Sequence, residues 1–191
     1  MKKLSLALFM AAASFCSQAQ TTTWKADPQH SRVGFTITHL GVTDVNGQFN
    51  KFNIIVTTPK ADLTDGTFNF SADVSSIDTN VDMRDNHLKS PDFFDVAHYD
   101  KITFVSSSVK KVSEKVYTVN GKLTLHGITL PATFEVTYRG LGKNPAANNA
   151  EVLGLQVTGT IKRSDYLLGP KFPAPILSDE VIIKVDGEYK K

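Results

Sequence analysis

Cysteine occurs once, at position 16, so the chain can form no internal disulfide and no cysteine-based metal site. There is no run of like charge. Lys2 and Lys3 belong to a segment argued below to be removed, and without them the 19 remaining basic residues match the 19 acidic ones. A neutral chain without a basic cluster lacks the field that binds phosphate backbones, which excludes nucleic acid as a partner. It also lacks a polybasic handle for anionic lipid surfaces. No Gly-x-Ser-x-Gly elbow and no glycine-rich phosphate loop are present. The five histidines, His30, His39, His87, His98 and His126, never fall at His-x-His or His-x-x-x-His spacing, so no local metal motif exists. Spacing alone leaves open a site assembled from separate strands. Serine, histidine and aspartate are abundant enough that any triad drawn among them carries no weight. Neither a catalytic constellation, nor a metal, nor a cofactor is therefore expected. What remains is a globular composition, 41% hydrophobic and 21% charged, in a length that suits one domain.

The first nineteen residues read as an address. Met1-Lys2-Lys3 is a short positive start, and Leu4 to Phe15 is apolar but too short to span a bilayer. Ser17-Gln18-Ala19 then places small residues where a signal peptidase reads, which predicts cleavage after Ala19. An amino-terminal helix of the domain would be amphipathic, and this stretch is apolar on all sides. A lipoprotein signal would also put a cysteine here, but bulky Phe15 precedes Cys16. The expectation is a signal peptide over 1–19, a single domain over 20–191, export to the periplasm, and a mature chain without cysteine.

Beyond that point the pattern has period 2, the signature of strands with one buried face. Eight runs carry it: Val33, Phe35 and Ile37; Phe52, Ile54 and Val56; Phe68 to Val74; Ile102 and Phe104; Tyr117 to Leu125; Ile128 to Tyr138; Leu155 to Ile161; and Val181 to Val185. Thr64-Asp65-Gly66 and His126-Gly127 are tight-turn signals, while Asn120-Gly121 marks a turn or a bulge inside a strand. Two short helices interrupt the pattern, Asp82 to Lys89 stopped by Pro91, and a turn or two over Arg163 to Leu168. Leu141 to Glu151 reads as a surface loop. Several runs reach ten residues or more, which favours an up-and-down barrel over a sandwich. The faces opposite the apolar ones carry Thr, Ser, Asn, Lys and Asp, which suits water outside and argues against a membrane-spanning barrel. Gly34, Gly47, Gly121, Gly154 and Gly159 lie in or beside strands, where glycine marks a bulge, a bend or space.

Several strings then occur in order. They are His30-Ser31-Arg32-Val33-Gly34-Phe35-Thr36-Ile37-Thr38-His39, Gly47-Gln48-Phe49-Asn50-Lys51-Phe52, Ile77-Asp78-Thr79 and Arg84-Asp85-Asn86-His87-Leu88. Ser90-Pro91-Asp92-Phe93-Phe94-Asp95, Ile102-Thr103-Phe104, Gly121 to Thr129 and Arg163-Ser164-Asp165-Tyr166 complete the set. Each is weak alone; the ordered set, over roughly Trp24 to Tyr189, resembles the YceI-like family of bacterial periplasmic lipid-binding proteins. Where many members have proline before the Ile-x-Phe strand, this chain has Tyr99-Asp100-Lys101. The resemblance implies an all-β fold, an eight-stranded antiparallel lipocalin-like barrel with one or two short helices. It also implies a non-enzymatic carrier of a long-chain isoprenoid or related lipid, such as a polyprenyl chain, an isoprenoid quinone or a fatty-acid derivative.

Such a ligand is held by removal of apolar surface from water, about 25 cal/mol per Å², and needs a lined tunnel rather than a constellation. Phe35, His39, Phe49, Phe70, Phe104, Leu123, Phe134 and Val157 are the candidate lining residues, although any one of them could serve simply as packed core. Arg84, His87, Tyr166 and Phe172 are the candidates for the mouth or a head group. The apolar, proline-rich segment Tyr166 to Leu177 either caps the mouth or packs over the barrel end. Arg84 with Asp85, and Arg163 with Asp165, either hold a head group or brace the fold. The rival function is an envelope barrel without ligand that acts through protein contacts, which requires a filled interior. The sequence leaves homodimer formation open.

Overall fold

The computed structural model describes residues 21–59 and 62–191; the signal segment expected over 1–19, with Cys16, lies outside them. Eleven strand segments are present among the described residues: β1 (Thr22–Ala26), β2 (Arg32–His39), β3 (Thr43–Phe49), β4 (Phe52–Thr58), β5 (Thr67–Asp73), β6 (Ile77–Asp78), β7 (Lys101–Lys111), β8 (Val116–Leu125), β9 (Ile128–Asn144), β10 (Ala150–Lys162) and β11 (Leu177–Lys190). They make eight staves, because β1 with β2, β3 with β4, and β5 with β6 are each one strand broken by a short kink. β1 and β2 both pair antiparallel with β11, β4 pairs with β1 while β3 pairs with β2, and β5 pairs with β4 while β6 pairs with β3. Every remaining neighbour is consecutive in sequence and antiparallel, so β1 against β11 closes an up-and-down barrel.

Local chemistry explains the turns. His126 (φ 51°) and Gly127 (φ 73°) both occupy the left-handed region between paired Leu125 and Ile128, the two-residue hairpin that twisted strands favour. Asp65 is left-handed (φ 60°) in the turn closed by the Gly66 amide donating to the Leu63 carbonyl. The helix α1 spans Asp82–Lys89 as its pattern predicts, with Pro91 just beyond. A single 3-10 turn covers Arg163–Tyr166.

Two expectations need correction. Leu141 to Glu151 is mostly strand rather than loop: β9 runs to Asn144, β10 starts at Ala150, and a 3-10 turn over Pro145–Ala147 followed by left-handed Asn148 and Asn149 joins them. Pairing continues through Leu141↔Leu153 to Asn144↔Ala150, so the ladder supplies the order that the small polar side chains do not advertise. The strand pattern also misses β1 and β3. β3 has only Val45 and Phe49 as apolar inward positions, with Gly47 between them, and cross-strand pairing to β2 overrides that weak propensity.

The barrel has two unlike ends. At one, Trp24, Val56, Tyr117, Leu153 and Tyr189 are buried and pack as a plug. The other end is covered by α1, the loop after it, and the segment 163–177 between β10 and β11.

Candidate functional site

The lumen between plug and cover holds a cavity of about 440 Å³, within the range of sites that take one small ligand. Its wall is apolar from several strands at once. Eleven of the twelve candidate residues border it: Phe35, His39, Phe49, Phe70, Phe104, Leu123, Phe134 and Val157 along the strands, with Arg84, His87 and Phe172 at the covered end. Tyr166 does not. It is buried in the core cluster, 3% exposed, where burial raises the pKa of its phenol, and its backbone carbonyl faces the ring Nδ1 of His126 at 2.9 Å.

An eight-stranded barrel is near the size at which side chains fill the interior, yet this one, rich in phenylalanine, stays open. The glycines explain why. A Cβ on Gly47 would lie 2.2 Å from the ring of Phe35, one on Gly121 2.5 Å from that of Phe104, and one on Gly159 2.5 Å from that of Phe134. Each ring lies down over a glycine of the next strand and covers its bare backbone. The rings therefore hug the wall instead of projecting into the lumen. Gly154 has a different task, at the register shift where β10 passes Arg139 of β9.

The mouth is made by two segments that meet across it. Phe93, after α1, stacks on Phe172 with ring centroids 5.0 Å apart and planes 18° apart, and the ring of His87 meets both edge-on. Lys171 Nζ pairs with Asp92 Oδ1 at 2.6 Å. That ammonium, and then His87, hold the Asp92 carboxyl below the usual carboxylate range. Leu168, Phe172, Ile176 and Leu177 all border the cavity, so the proline-rich segment forms its cover.

The two arginines of the site are largely committed to the protein. Arg163 is 6% exposed, and its five N–H groups donate to the backbone carbonyls of Leu168, Gly169, Phe172, Leu177 and Ser178. One guanidinium thus gives the cover its shape. Arg84 donates through Nε to Thr79 Oγ1 and through Nη2 to the Thr79 carbonyl, both at 2.7 Å. The buried Asp85 carboxylate accepts from the Thr79 amide at 2.9 Å and from its hydroxyl, which pins α1 to the end of β6. Bracing is what these contacts do, while Arg84 keeps its place on the cavity rim.

The candidate set missed Phe93 and Phe94, which sit in a turn without periodicity, and Tyr189, which closes the bottom of the cavity. It also missed a cluster on the barrel seam. Asp27, His30 and Glu188 bring their ligand-type atoms within 4.8 Å of one another. Lys190 Nζ and His30 Nδ1 already lie 2.6 and 2.7 Å from Asp27 Oδ2, the lysine first and the histidine second lowering that carboxyl to about 2. This network fastens the β1–β2 kink to β11, since the Asp27 amide also donates to the Glu188 carbonyl at 2.8 Å.

Sequence and fold comparisons agree with this geometry. The YceI-like domain matches residues 24–189. UPF0312 proteins of Staphylococcus aureus strains MSSA476 and USA300 are each 43% identical over 172 residues, covering 88% of this chain and 94% of theirs. The crystal structure of BcnA from Burkholderia cenocepacia superposes with a TM-score of 0.77 at 28% identity, over 85% of this chain and 98% of that one. A polyisoprenoid binding domain from Saccharophagus degradans shares the fold at a TM-score of 0.69 and 17% identity, over 87% of this chain and 97% of its own. On the domain match over nearly all of the described residues, and on relatives matched along almost their full length, this chain belongs to the YceI-like family.

Proposed function

We propose that the protein is a carrier that shields one long apolar molecule, an isoprenoid or a related amphiphilic lipid, inside the barrel. The observation that carries this reading is the open lumen: about 440 Å³ of apolar-walled space kept free by phenylalanines lying over glycines. A barrel acting only through its outer surface has no use for that space and would gain stability by filling it. The polyisoprenoid binding of the Saccharophagus degradans domain, named for that ligand, supports the choice of lipid class. A chain longer than the lumen leaves through the mouth, where an ion pair and a ring stack join the cover to the loop after α1.

Carriage requires no chemistry on the cargo, and the proposal includes neither a catalytic group nor a cofactor. Outward positions such as Thr129, Thr133, Glu135 and Thr137 of β9 are polar, as suits a barrel surrounded by water. No helix among the described residues is long and apolar enough to cross a membrane. Periplasmic location after cleavage at Ala19 is part of the same proposal and rests on the amino-terminal sequence.

The test is uptake of an isoprenoid quinone from lipid vesicles by delipidated protein, compared with Val157→Trp. Val157 faces the cavity midway along β10, so the larger ring blocks the lumen without touching the outer surface. The expected result is uptake at one lipid per chain by the native protein and a loss of at least tenfold in the variant, which still melts cooperatively. Equal uptake by both proteins would move the lipid outside the barrel.

A further inference from the structure

We infer that the closed end of the cavity is a subsite for a neutral hydrogen-bonding group, a carbonyl or hydroxyl on one end of the apolar ligand, held by the hydroxyl of Tyr189. The inference rests on the carrier reading and adds which way the ligand enters.

Tyr189 lies on the inward face of β11, is 1% exposed, and borders the cavity. Its ring leans toward the lumen. A Cβ on Gly187, two residues nearer the mouth, would fall 2.7 Å from Cε2 and 3.0 Å from both Cζ and the hydroxyl oxygen. The glycine is the space through which the phenol reaches inward. Among the described residues, no group hydrogen-bonds that hydroxyl, although every fully enclosed side-chain nitrogen or oxygen has a partner. The hydroxyl is therefore not sealed off, and the space beside it is the cavity. A polar group unpaired in an apolar interior costs free energy that a ligand oxygen can recover.

The surroundings select for neutrality. Leu155, opposite Gly187, and Val136 and Val185 at the next level are apolar. Arg84, His39 and His87 stand at the mouth, and the guanidinium of Arg163 is spent on backbone carbonyls. A phosphate or carboxylate at the bottom would be buried without a counter-ion. Burial also raises the pKa of the Tyr189 phenol, which keeps it a donor at all physiological pH values. Ligands with a neutral oxygen, such as a quinone or a prenyl alcohol, then insert that end first. Anionic lipids insert tail first and leave the head near Arg84.

The experiment compares native protein with Tyr189→Phe, titrated with three probes of matched isoprenoid chain: a quinone, a hydrocarbon without oxygen, and a prenyl phosphate. The variant should bind the quinone about five- to tenfold more weakly, the fold-change of one lost hydrogen bond. It should bind the other two as the native protein does, which also shows that the barrel remains folded. The infrared carbonyl band of the bound quinone should shift to lower frequency in the native protein only. Unchanged quinone affinity with unchanged hydrocarbon uptake would overturn this inference and leave the carrier reading standing. A native protein that takes up none of the probes would overturn both.

Discussion

Phe35, Phe104 and Phe134 each depend on a residue with no side chain at all. Without Gly47, Gly121 and Gly159 beneath them, their rings would be driven into the lumen, and the barrel would fill as its size invites. Alternation in the sequence identifies the phenylalanines as inward-facing but says nothing about the direction in which a ring lies, because that depends on the neighbouring strand. The glycines were legible as space, bend or bulge, and only cross-strand register separates those uses. Asp27 is the opposite case. It precedes a proline in a stretch without pattern, and its partner Lys190 is at the far end of the chain. Its carboxyl, lowered to about 2 from an ordinary 3.8, favours folding above pH 4, and that contribution fades as the pH falls through about 2. Asp27→Asn should therefore cost roughly 1–2 kcal/mol at pH 7. The difference from the native protein should shrink toward zero as the pH approaches 2. Chemical denaturation at pH 7, 4 and 2.5 checks this, and a difference that grows with acid would contradict it.

At the scale of elements, α1 and the segment 163–177 matter most. The boundaries of α1 were readable because Pro91 ends it and polar residues fill it. The role of the proline-rich segment was only half readable. Its apolar prolines indicated a cover or a packed loop, but the hub that shapes it is Arg163, whose five carbonyl partners leave no trace in sequence spacing. Tyr166 shows the same limit: it adjoins the cover in sequence and yet packs into the core. Phe93 against Phe172, with His87 edge-on to both rings and Lys171 beside Asp92, joins the cover to the loop after α1 across the mouth. Replacing Phe172 by Ala should speed lipid release by roughly tenfold and leave the melting temperature within a few degrees, because the stack forms only part of the cover. Lys171→Ala should act in the same direction more weakly, as expected of an exposed ion pair. Stopped-flow transfer of a fluorescent isoprenoid to acceptor vesicles measures both. Release unchanged in Phe172→Ala would mean that the ligand leaves elsewhere.

For the whole molecule, most of the fold was legible, because an antiparallel meander pairs each strand with its sequence neighbour and period 2 marks each inner face. The eight expected runs correspond to the eight staves. The breaks that divide three staves, and the weak strands β1 and β3, were not legible, since pairing to β11 and β4 fixes β1, and pairing to β2 fixes β3, rather than any local preference. The wall of the cavity followed from alternation; that it is a cavity did not, because apolar inward residues describe a packed core equally well. The central claim is thus that this interior is open in order to be occupied. Native mass spectrometry of the protein recovered from its own cell, followed by solvent extraction and mass analysis of the released material, tests it most directly. The account predicts a chain beginning after Ala19 that carries one isoprenoid or related lipid per molecule. A protein recovered empty, and still empty after exposure to isoprenoid quinones, alcohols and fatty acids, would contradict it.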